Sequence, residues 1–362
     1  MLTNRTFGAR SLVLTAALFA GLAGISQAAG LRAGVARVDV TDERPGPPND
    51  RLYVRALVLD NGETRVALVT VDAVAIGGIG PIGDDYLPKV RARLERELNL
   101  RPSNLMVNAS HCHGLVVPEA AKRTVDAVAE AVKRLVPVRI GTGTGREDRV
   151  MQNRRLLLKD GSTADVRHAY SIPPDAQVVS PGPVDPEIGV LRIDREDGKP
   201  LAVVYNFACH PIQGVPSGRN TADMTGFSSR VIEENLGEGV VALFVQGCAG
   251  DINPAFYKSV DLPRDAETLG NLLGLSTLRA ARAVATKPDN RLAVVGETLR
   301  LPRADFSARI RALEAQREKL VASLQGTTLS FKTFLPLAVK YGVSPEHPSY
   351  YAHAYQHEKA QG

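Results

Sequence analysis

The order of apolar runs along the first third of the chain constrains the fold more than any other feature. Three short β-like runs, "GVARVDV", "LYVRALVLD" and "RVALVTVDAVAI", are separated by segments rich in Pro, Gly and Asp. An amphipathic helix pattern, "DDYLPKVRARLERELNL", then leads to the strand-like "NLMVNAS" and to a second helix pattern, "AAKRTVDAVAEAVKRL". This succession predicts an α/β fold, with a layered mixed β-sheet flanked by helices.

The second half continues the alternation after a long irregular stretch. Residues 145–186 have weak periodicity and much Arg, Pro, Gly and Asp, which predicts long loops across one face. Strands are predicted at "IGVLRID", "LAVVYNFAC", "GVVALFVQG" and "LAVVGETLRL", and helices at "GFSSRVIEENL", "DAETLGNLLGLSTLRAARAVAT" and "FSARIRALEAQREKLVASLQ". The run "GVVALFVQG" is the most apolar, which predicts a central strand. We expect one α/β domain over residues 29–303 and a helical extension over 304–362.

The first 28 residues have the composition of a cleavable export signal. Two arginines precede an uncharged apolar run over residues 12–25, and small residues occupy the two positions that a signal peptidase reads. A membrane anchor is the alternative, but the run is shorter than the roughly 20 apolar residues that span a bilayer. We therefore expect cleavage after Ala28 and an exported chain, either secreted or periplasmic.

Charge and cysteine content argue against two classes of protein. The formal net charge is +5, and subtracting Arg5 and Arg10 of the predicted signal leaves +3. Basic residues are spread along the chain, without a dense cluster or interleaved aromatic residues, so we expect no binding to nucleic acid. Three cysteines are too few for a disulfide scaffold, so a large apolar core must stabilise the exported fold.

Histidines stand where two apolar strands give way to polar turns. "NASHCHG" places His111 and His113 two residues apart, so that on a strand both imidazoles would share a face and Cys112 would point away. In "NFACHPI", His210 follows a second apolar strand and precedes Pro211, which ends strand pairing. A single histidine at a strand end is usually structural, and a lone pair with this spacing is as compatible with a polar surface or a structural role as with a metal. Three in two such turns favour a metal site, because each buried imidazole needs a polar partner.

A third apolar strand opens into a glycine-rich turn, "FVQGCAGDINP", which bears Asp251 and Asn253. Ligands of open α/β sheets bind beyond the carboxyl ends of the strands, and we expect the site there. Cys112 and Cys209 would both face the layer beneath. They are either bridged or, as is more common, two small buried thiols.

The three turns together carry a family resemblance. "NASHCHG", "NFACHPI" and "FVQGCAGDINP", in that order, resemble segments of the amino-terminal domain of the neutral/alkaline (non-lysosomal) ceramidase family. "ARVDVT", "ALVTVDAV", "MQNRR" and "VDPEIGVLRID" are also similar, so the resemblance covers most of residues 30–260. It implies zinc as the cofactor, His111 and His210 as its ligands, and His113 lining the site. It further implies hydrolysis of the amide bond of a ceramide-like N-acyl lipid by metal-activated water.

The chain departs from the family pattern in two respects. The family's serine in "GDVSP" is Asn253 here, which closes a serine-acyl route, although asparagine can donate a hydrogen bond to an oxyanion. The family also takes a glutamate and a tyrosine ligand from segments that find no match here, so we expect a truncated or divergent member with an incomplete extension. Near the end of the sequence is a cluster of possible ligands: Tyr351, His353, His357 and Glu358. These residues either replace the missing ligands or, more simply, lie on a solvated helix.

Several residues beside the three turns are further candidates. Asp251 either orients a ligand histidine or caps the following turn, and Asp72 has the same two interpretations. Asp223 precedes a helix and either lines the site or serves the helix N-terminus. Asn153 and Arg154 resemble a substrate-side segment of the family.

The sequence therefore predicts an exported zinc-dependent amide hydrolase that acts on an N-acyl lipid or a related acyl compound. The catalytic candidates are His113, Asp251 and Asn253, and the substrate-binding candidates are Asn153, Arg154 and Asp223. A catalytically inactive secreted binding domain of the same fold is the alternative. A serine hydrolase is disfavoured because the chain has no GxSxG motif. The expected partner is a small-molecule or lipid substrate, with peripheral contact with membrane lipid; the oligomeric state is left open.

Overall fold

A computed structural model of the chain describes residues 30–166, 173–214, 220–255, 257 and 265–323. The predicted signal and the cluster at 351–358 lie outside these residues. The strands are β1 (Arg32–Asp39), β2 (Tyr53–Asp60), β3 (Arg65–Val71), β4 (Leu105–Ala109), β5 (Val136–Arg146), β6 (Met151–Asn153), β7 (Arg155–Leu158), β8 (Thr163–Asp165), β9 (Val178–Pro181), β10 (Glu187–Arg195), β11 (Pro200–Phe207), β12 (Val241–Gln246) and β13 (Ile252–Pro254). The helices are α1 (Tyr86–Leu98), α2 (Ala120–Lys133), α3 (Asp223–Leu236), α4 (Ala266–Ala283) and α5 (Ser307–Ser323).

Eight of these strands form one mixed sheet, in the order β12-β11-β10-β5-β1-β2-β3-β4. Neighbours are antiparallel except for two pairs, β3 with β4 and β11 with β12, which run parallel. Strands β6 and β13 form a separate pair, and β7, β8 and β9 form a small three-stranded sheet. The predicted mixed sheet flanked by helices is therefore confirmed.

The large sheet folds over so that its two halves pack against each other. Leu57 of β2 and Val35 of β1 lie in one buried cluster with Ile193, Val204 and Leu243 from the other half. Successive residues of a strand point to opposite faces of the sheet, so every second side chain of these strands faces away from the other half. Those outward residues pack with α1 and α2 on one half and with α3 and α4 on the other. The core therefore consists of two helix layers enclosing two sheet layers.

One side chain joins the two edges of the folded sheet. Asn108 of β4 donates from Nδ2 to the carbonyl of Phe244 in β12 over 2.8 Å, and its Oδ1 accepts from the Gln246 N–H over 3.1 Å. Thr70 of β3 donates to the same Phe244 carbonyl over 2.8 Å. The amide of Asn108 thus takes the place of a neighbouring strand for β12, and it does so three residues before the first predicted metal ligand.

Helices α3 and α4 pack closely because α4 has glycine at two contact positions. A Cβ at Gly270 would lie 2.8 Å from the Met224 carbonyl oxygen, and one at Gly274 would lie 2.9 Å from that of Ser228. These distances are shorter than a carbon atom tolerates, so the two helix backbones approach to a separation that only glycine permits. The contact holds α3, whose first residue is Asp223, against the sheet.

Three sequence expectations about elements were wrong. Strand β12, expected at the centre, is at the edge of the ladder. It is apolar because the folded sheet covers one face and helices cover the other. The run at residues 292–301 is not a strand, and apolar side chains such as Val295 and Leu301 are exposed. Residues 145–186, expected as loops, contain β6 to β9.

The remaining described helices add two findings. Helix α5 lies within the predicted extension 304–362, and its residues 307–319 are exposed. Among the described residues, no helix is both long enough and apolar enough to cross a bilayer.

Candidate metal centre

Three histidines from two distant turns meet at one point. The Nε2 atom of His210 lies 3.0 Å from Nε2 of His111 and 3.4 Å from Nε2 of His113. One ring nitrogen from each residue lies within 4.8 Å of the others. Ligand atoms placed tetrahedrally at about 2.0 to 2.1 Å around zinc are roughly 3.3 Å apart. The spacing of these imidazoles therefore fits a single small divalent cation.

His111 is fixed by its own backbone and by a carbonyl group on a neighbouring loop. Its N–H donates to the Ala73 carbonyl over 3.0 Å, and its Nδ1 lies 2.5 Å from the carbonyl oxygen of Val74. A carbonyl can only accept, so Nδ1 carries the proton and Nε2 keeps its lone pair. Its φ of 64° is a left-handed conformation that histidine adopts more readily than most residues.

His210 is oriented in the same manner from the other half of the sheet. Its N–H donates to the Ile252 carbonyl over 2.9 Å, and its Nδ1 lies 3.4 Å from the carbonyl oxygen of Ala249. Its Nε2 is thereby also left with a lone pair. With both rings in this tautomer the two lone pairs face each other across 3.0 Å, an arrangement that a cation bound to both would stabilise.

The electrostatic environment keeps the rings of His113 and His210 neutral at neutral pH. Burial, followed by the neighbouring His111 and His113, lowers the pKa of His210 to about 4. Burial and His111 also lower the pKa of His113 to about 4. By accessible surface His113 is exposed and His210 is half-buried. Neutral imidazole is the form that binds a metal ion.

The segment between and after the paired histidines is held by residues that sequence reasoning missed. Asn220 accepts from the Leu115 N–H over 2.7 Å and donates to the carbonyls of Leu115 and Asp42 over 2.8 and 3.0 Å. A Cβ at Gly114 would lie 2.6 Å from the Thr221 carbonyl oxygen. Glycine after "HCH" was the only sequence signal of this close approach.

Both cysteines beside the ligands face the interior, as expected. Cys112 and Cys209 are fully buried, and burial raises the pKa of both thiols. Both are free in the structure, so the bridge is not present and the simpler interpretation holds. The reason given for their orientation was wrong: β4 ends at Ala109, so the histidine pair lies beyond the strand, and His111 has a left-handed backbone conformation.

The acidic candidates take mainly structural positions. Asp72 is buried and accepts from Arg55 over 2.8 Å and from the Tyr53 N–H over 2.9 Å. Asp223, the first residue of α3, accepts from the N–H groups of Met224 over 2.7 Å and Gly214 over 2.5 Å. Burial raises the pKa of Asp223 to about 6.

Asp251 lies on the glycine-rich turn, with its carboxylate 3.7 Å from the guanidinium of Arg155. Its backbone carbonyl accepts from the Arg154 N–H over 2.8 Å, which fixes the turn against the start of β7. Its proposed part in catalysis stays a prediction.

Two of the three substrate-binding candidates, Asn153 and Arg154, line a cavity of about 390 Å³ beside this turn, and Asp223 is not among its lining residues. Asn153, Arg154 and Asn253 all contribute to its wall. The amide of Asn153 is already committed, since it donates to the Pro183 carbonyl over 2.7 Å and accepts from the Arg155 N–H over 2.8 Å. The Arg154 guanidinium lies 2.9 Å from a carboxylate oxygen of Asp165. The expected roles of Asn153, Arg154 and Asn253 stay predictions.

Comparisons with known proteins agree with the resemblance at the level of the fold. No protein-family model matches the sequence, and no curated protein matches it. The chain is similar in structure to a ceramidase complexed with C2, with a TM-score of 0.55 and 20% identity over 71% of this chain. It is equally similar to the neutral ceramidase from Pseudomonas aeruginosa, with a TM-score of 0.54 and 20% identity. The match spans 44% and 45% of those two chains. The described part of this chain therefore has the fold of less than half of a neutral ceramidase.

Proposed function

We propose that this chain is an exported zinc-dependent hydrolase of an amide bond in a ceramide-like N-acyl lipid or a related acyl compound. The observation that carries the proposal is the 3.0 Å separation of Nε2 of His111 and Nε2 of His210. Because the Nδ1 atoms of both rings face carbonyl oxygens, a cation is the group that best satisfies the two facing lone pairs. Three imidazoles without a thiolate suit zinc among the common biological cations.

His111 and His210 would hold the ion through Nε2. His113 presents a more exposed ring, and its Nε2 would either complete the ligand set or accept a proton from the attacking water. When bound, zinc would polarise the carbonyl group of the substrate and lower the pKa of a water molecule that it binds. Asn253 would add a polar contact to the substrate from the adjoining cavity, and Asp251 would keep the turn between them in place.

The amide and lipid specificity rests on the shared fold and on the sequence resemblance. Both similar structures are described as ceramidases, and this chain corresponds to less than half of either. The proposal for this chain is therefore an N-acyl substrate, with peripheral contact with membrane lipid. Export is supported by the composition of residues 1–28. Amino-terminal sequencing of the protein recovered from the producing cells should begin at Ala29.

Elemental analysis joined to an amide-hydrolysis assay tests the proposal. The purified chain should contain one zinc per molecule and release fatty acid from an N-acyl sphingoid base. His111→Ala and His210→Ala should each lose both properties, whereas Lys122→Ala, on the exposed face of α2, should retain both. Activity that survives removal of the metal by a chelator would refute zinc dependence. The absence of both zinc and hydrolysis would favour the alternative, an inactive binding domain in which Asn253 occupies the family's serine position.

A further inference from the structure

The cavity beside the metal centre has mixed walls. It lies where the β6–β13 pair meets the small sheet of β7, β8 and β9, and its volume is about 390 Å³. Its apolar lining comes from five residues: Leu156, Val166, Val178, Pro181 and Pro254. This volume is near the lower end of the roughly 300 to 1,000 Å³ range of small-molecule pockets. The cavity is therefore suited to a compact group rather than to an extended one.

One residue of this wall has a buried amide oxygen without a hydrogen-bond donor among the described residues. Asn253 pairs with Gln152 in the β6–β13 ladder and is 4% exposed. Its side-chain Oδ1 is buried and, among the described residues, receives no hydrogen bond. Asn153, on the same wall, has both amide atoms paired within the protein. A buried acceptor without a donor is unfavourable, so Asn253 is set up to receive a donor from a ligand.

The cavity and the histidine cluster share a structural element. The Ile252 carbonyl, one residue before Asn253, accepts the N–H of His210 over 2.9 Å. Arg154, which lines the cavity, is close enough for its charge to act on the His210 ring. The histidine cluster and the cavity are therefore both attached to β13.

We propose that Asn253 selects for substrates with an N–H group, by accepting a hydrogen bond at Oδ1 from a compact secondary amide in this cavity. The inference rests on the proposed function for the choice of an amide. It differs from the expected donation to an oxyanion, because it uses the oxygen of the side chain and not its nitrogen. An ester or a tertiary amide cannot donate and leaves Oδ1 buried and unpaired. Sites built around a substrate N–H reject analogues that lack it for this reason.

Ligand-observed NMR titration of the full chain with three small compounds tests the selection. The probes are N-butylacetamide, butyl acetate, which lacks the N–H at nearly the same size, and N-butyl-N-methylacetamide. We expect the secondary amide to bind roughly tenfold more tightly than either of the others. Asn253→Ala should remove this preference, and Asn253→Asp, which retains an acceptor oxygen, should keep it. Asn235→Ala, an exposed position on α3, should leave the preference unchanged.

Two outcomes would overturn the inference. One is equal binding of the amide and the ester to the unaltered protein, which requires no variant to fold. The other is a preference that persists in folded Asn253→Ala. The proposed hydrolysis fails separately: loss of zinc dependence with an intact amide preference would refute the metal chemistry and leave the selection by Asn253 standing.

Discussion

Replacing Asn108 by leucine tests whether one side chain holds the two edges of the folded sheet together. The substitution keeps approximate size but removes the hydrogen bonds to the Phe244 carbonyl and from the Gln246 N–H, at 2.8 and 3.1 Å. The Phe244 carbonyl keeps the hydrogen bond from Thr70 and loses only the one from Asn108. That loss lowers the free energy of unfolding by about 1 kcal/mol. The Gln246 N–H loses the Asn108 oxygen as its acceptor, which further lowers the free energy of unfolding by about 1 to 2 kcal/mol. We expect the free energy of unfolding to fall by about 2 to 3 kcal/mol.

Urea denaturation measures this change directly. The midpoint should fall while the slope with denaturant stays constant, because the surface exposed on unfolding is unchanged. Asn206→Leu is the matched control, since its exposed amide donates a single hydrogen bond to the Val245 carbonyl. It should cost less than about 1 kcal/mol. If Asn108→Leu were as stable as the control variant, the argument that Asn108 closes the sheet would be refuted.

Three further predictions concern the surroundings of the site. The pKa of Asp223 is about 6 in the folded protein against 3.8 for an unperturbed carboxyl, so its stabilising contribution is complete below pH 3.8 and lost as pH rises through 6. The stability of the unaltered protein relative to Asp223→Asn should therefore fall by about 2 kcal/mol between pH 4 and 7, and equal pH profiles from thermal unfolding would contradict this. Arg55→Leu should cost about 3 to 5 kcal/mol in urea denaturation, because it removes the cation beside the buried carboxylate of Asp72 and leaves Arg37 as the cation beside Glu233; a loss below 1 kcal/mol would count against it. Gly114→Ala should weaken zinc binding in competition with a chelator, since the added methyl group displaces the His113 segment, and unchanged affinity would show that the segment can adjust.

Much of the local structure was predictable, but the arrangement of the strands was not. The periodicity of α1, with Tyr86, Val90 and Leu94 buried at intervals of four, is legible in the sequence. The position of β12 was not, because apolar content reports how many faces of a strand are covered and not how many neighbours it has. Folding of the sheet covers β12 on both faces at its edge, and that depends on pairings far apart in the chain.

The sequence correctly predicted which histidines meet, but it predicted the wrong backbone geometry for the His111–His113 pair. Polar turns after apolar strands correctly indicated that His111 and His210 would converge. Strand alternation did not place His113 beside them, since the pair lies beyond β4 and its loop is held by Asn220. The carbonyl groups that orient the rings could not be predicted, because every residue has one and no side-chain pattern identifies which will accept.

The amide bridge from Asn108 also bears on how molecules of this protein encounter one another. An edge strand displays free N–H and C=O groups on which a strand of a second molecule can assemble. At the outward side of β12, the Phe244 carbonyl and the Gln246 N–H are already bound within the chain. Any intermolecular β-pairing at this point must first break those bonds, so the contact that stabilises the fold also protects it against self-association.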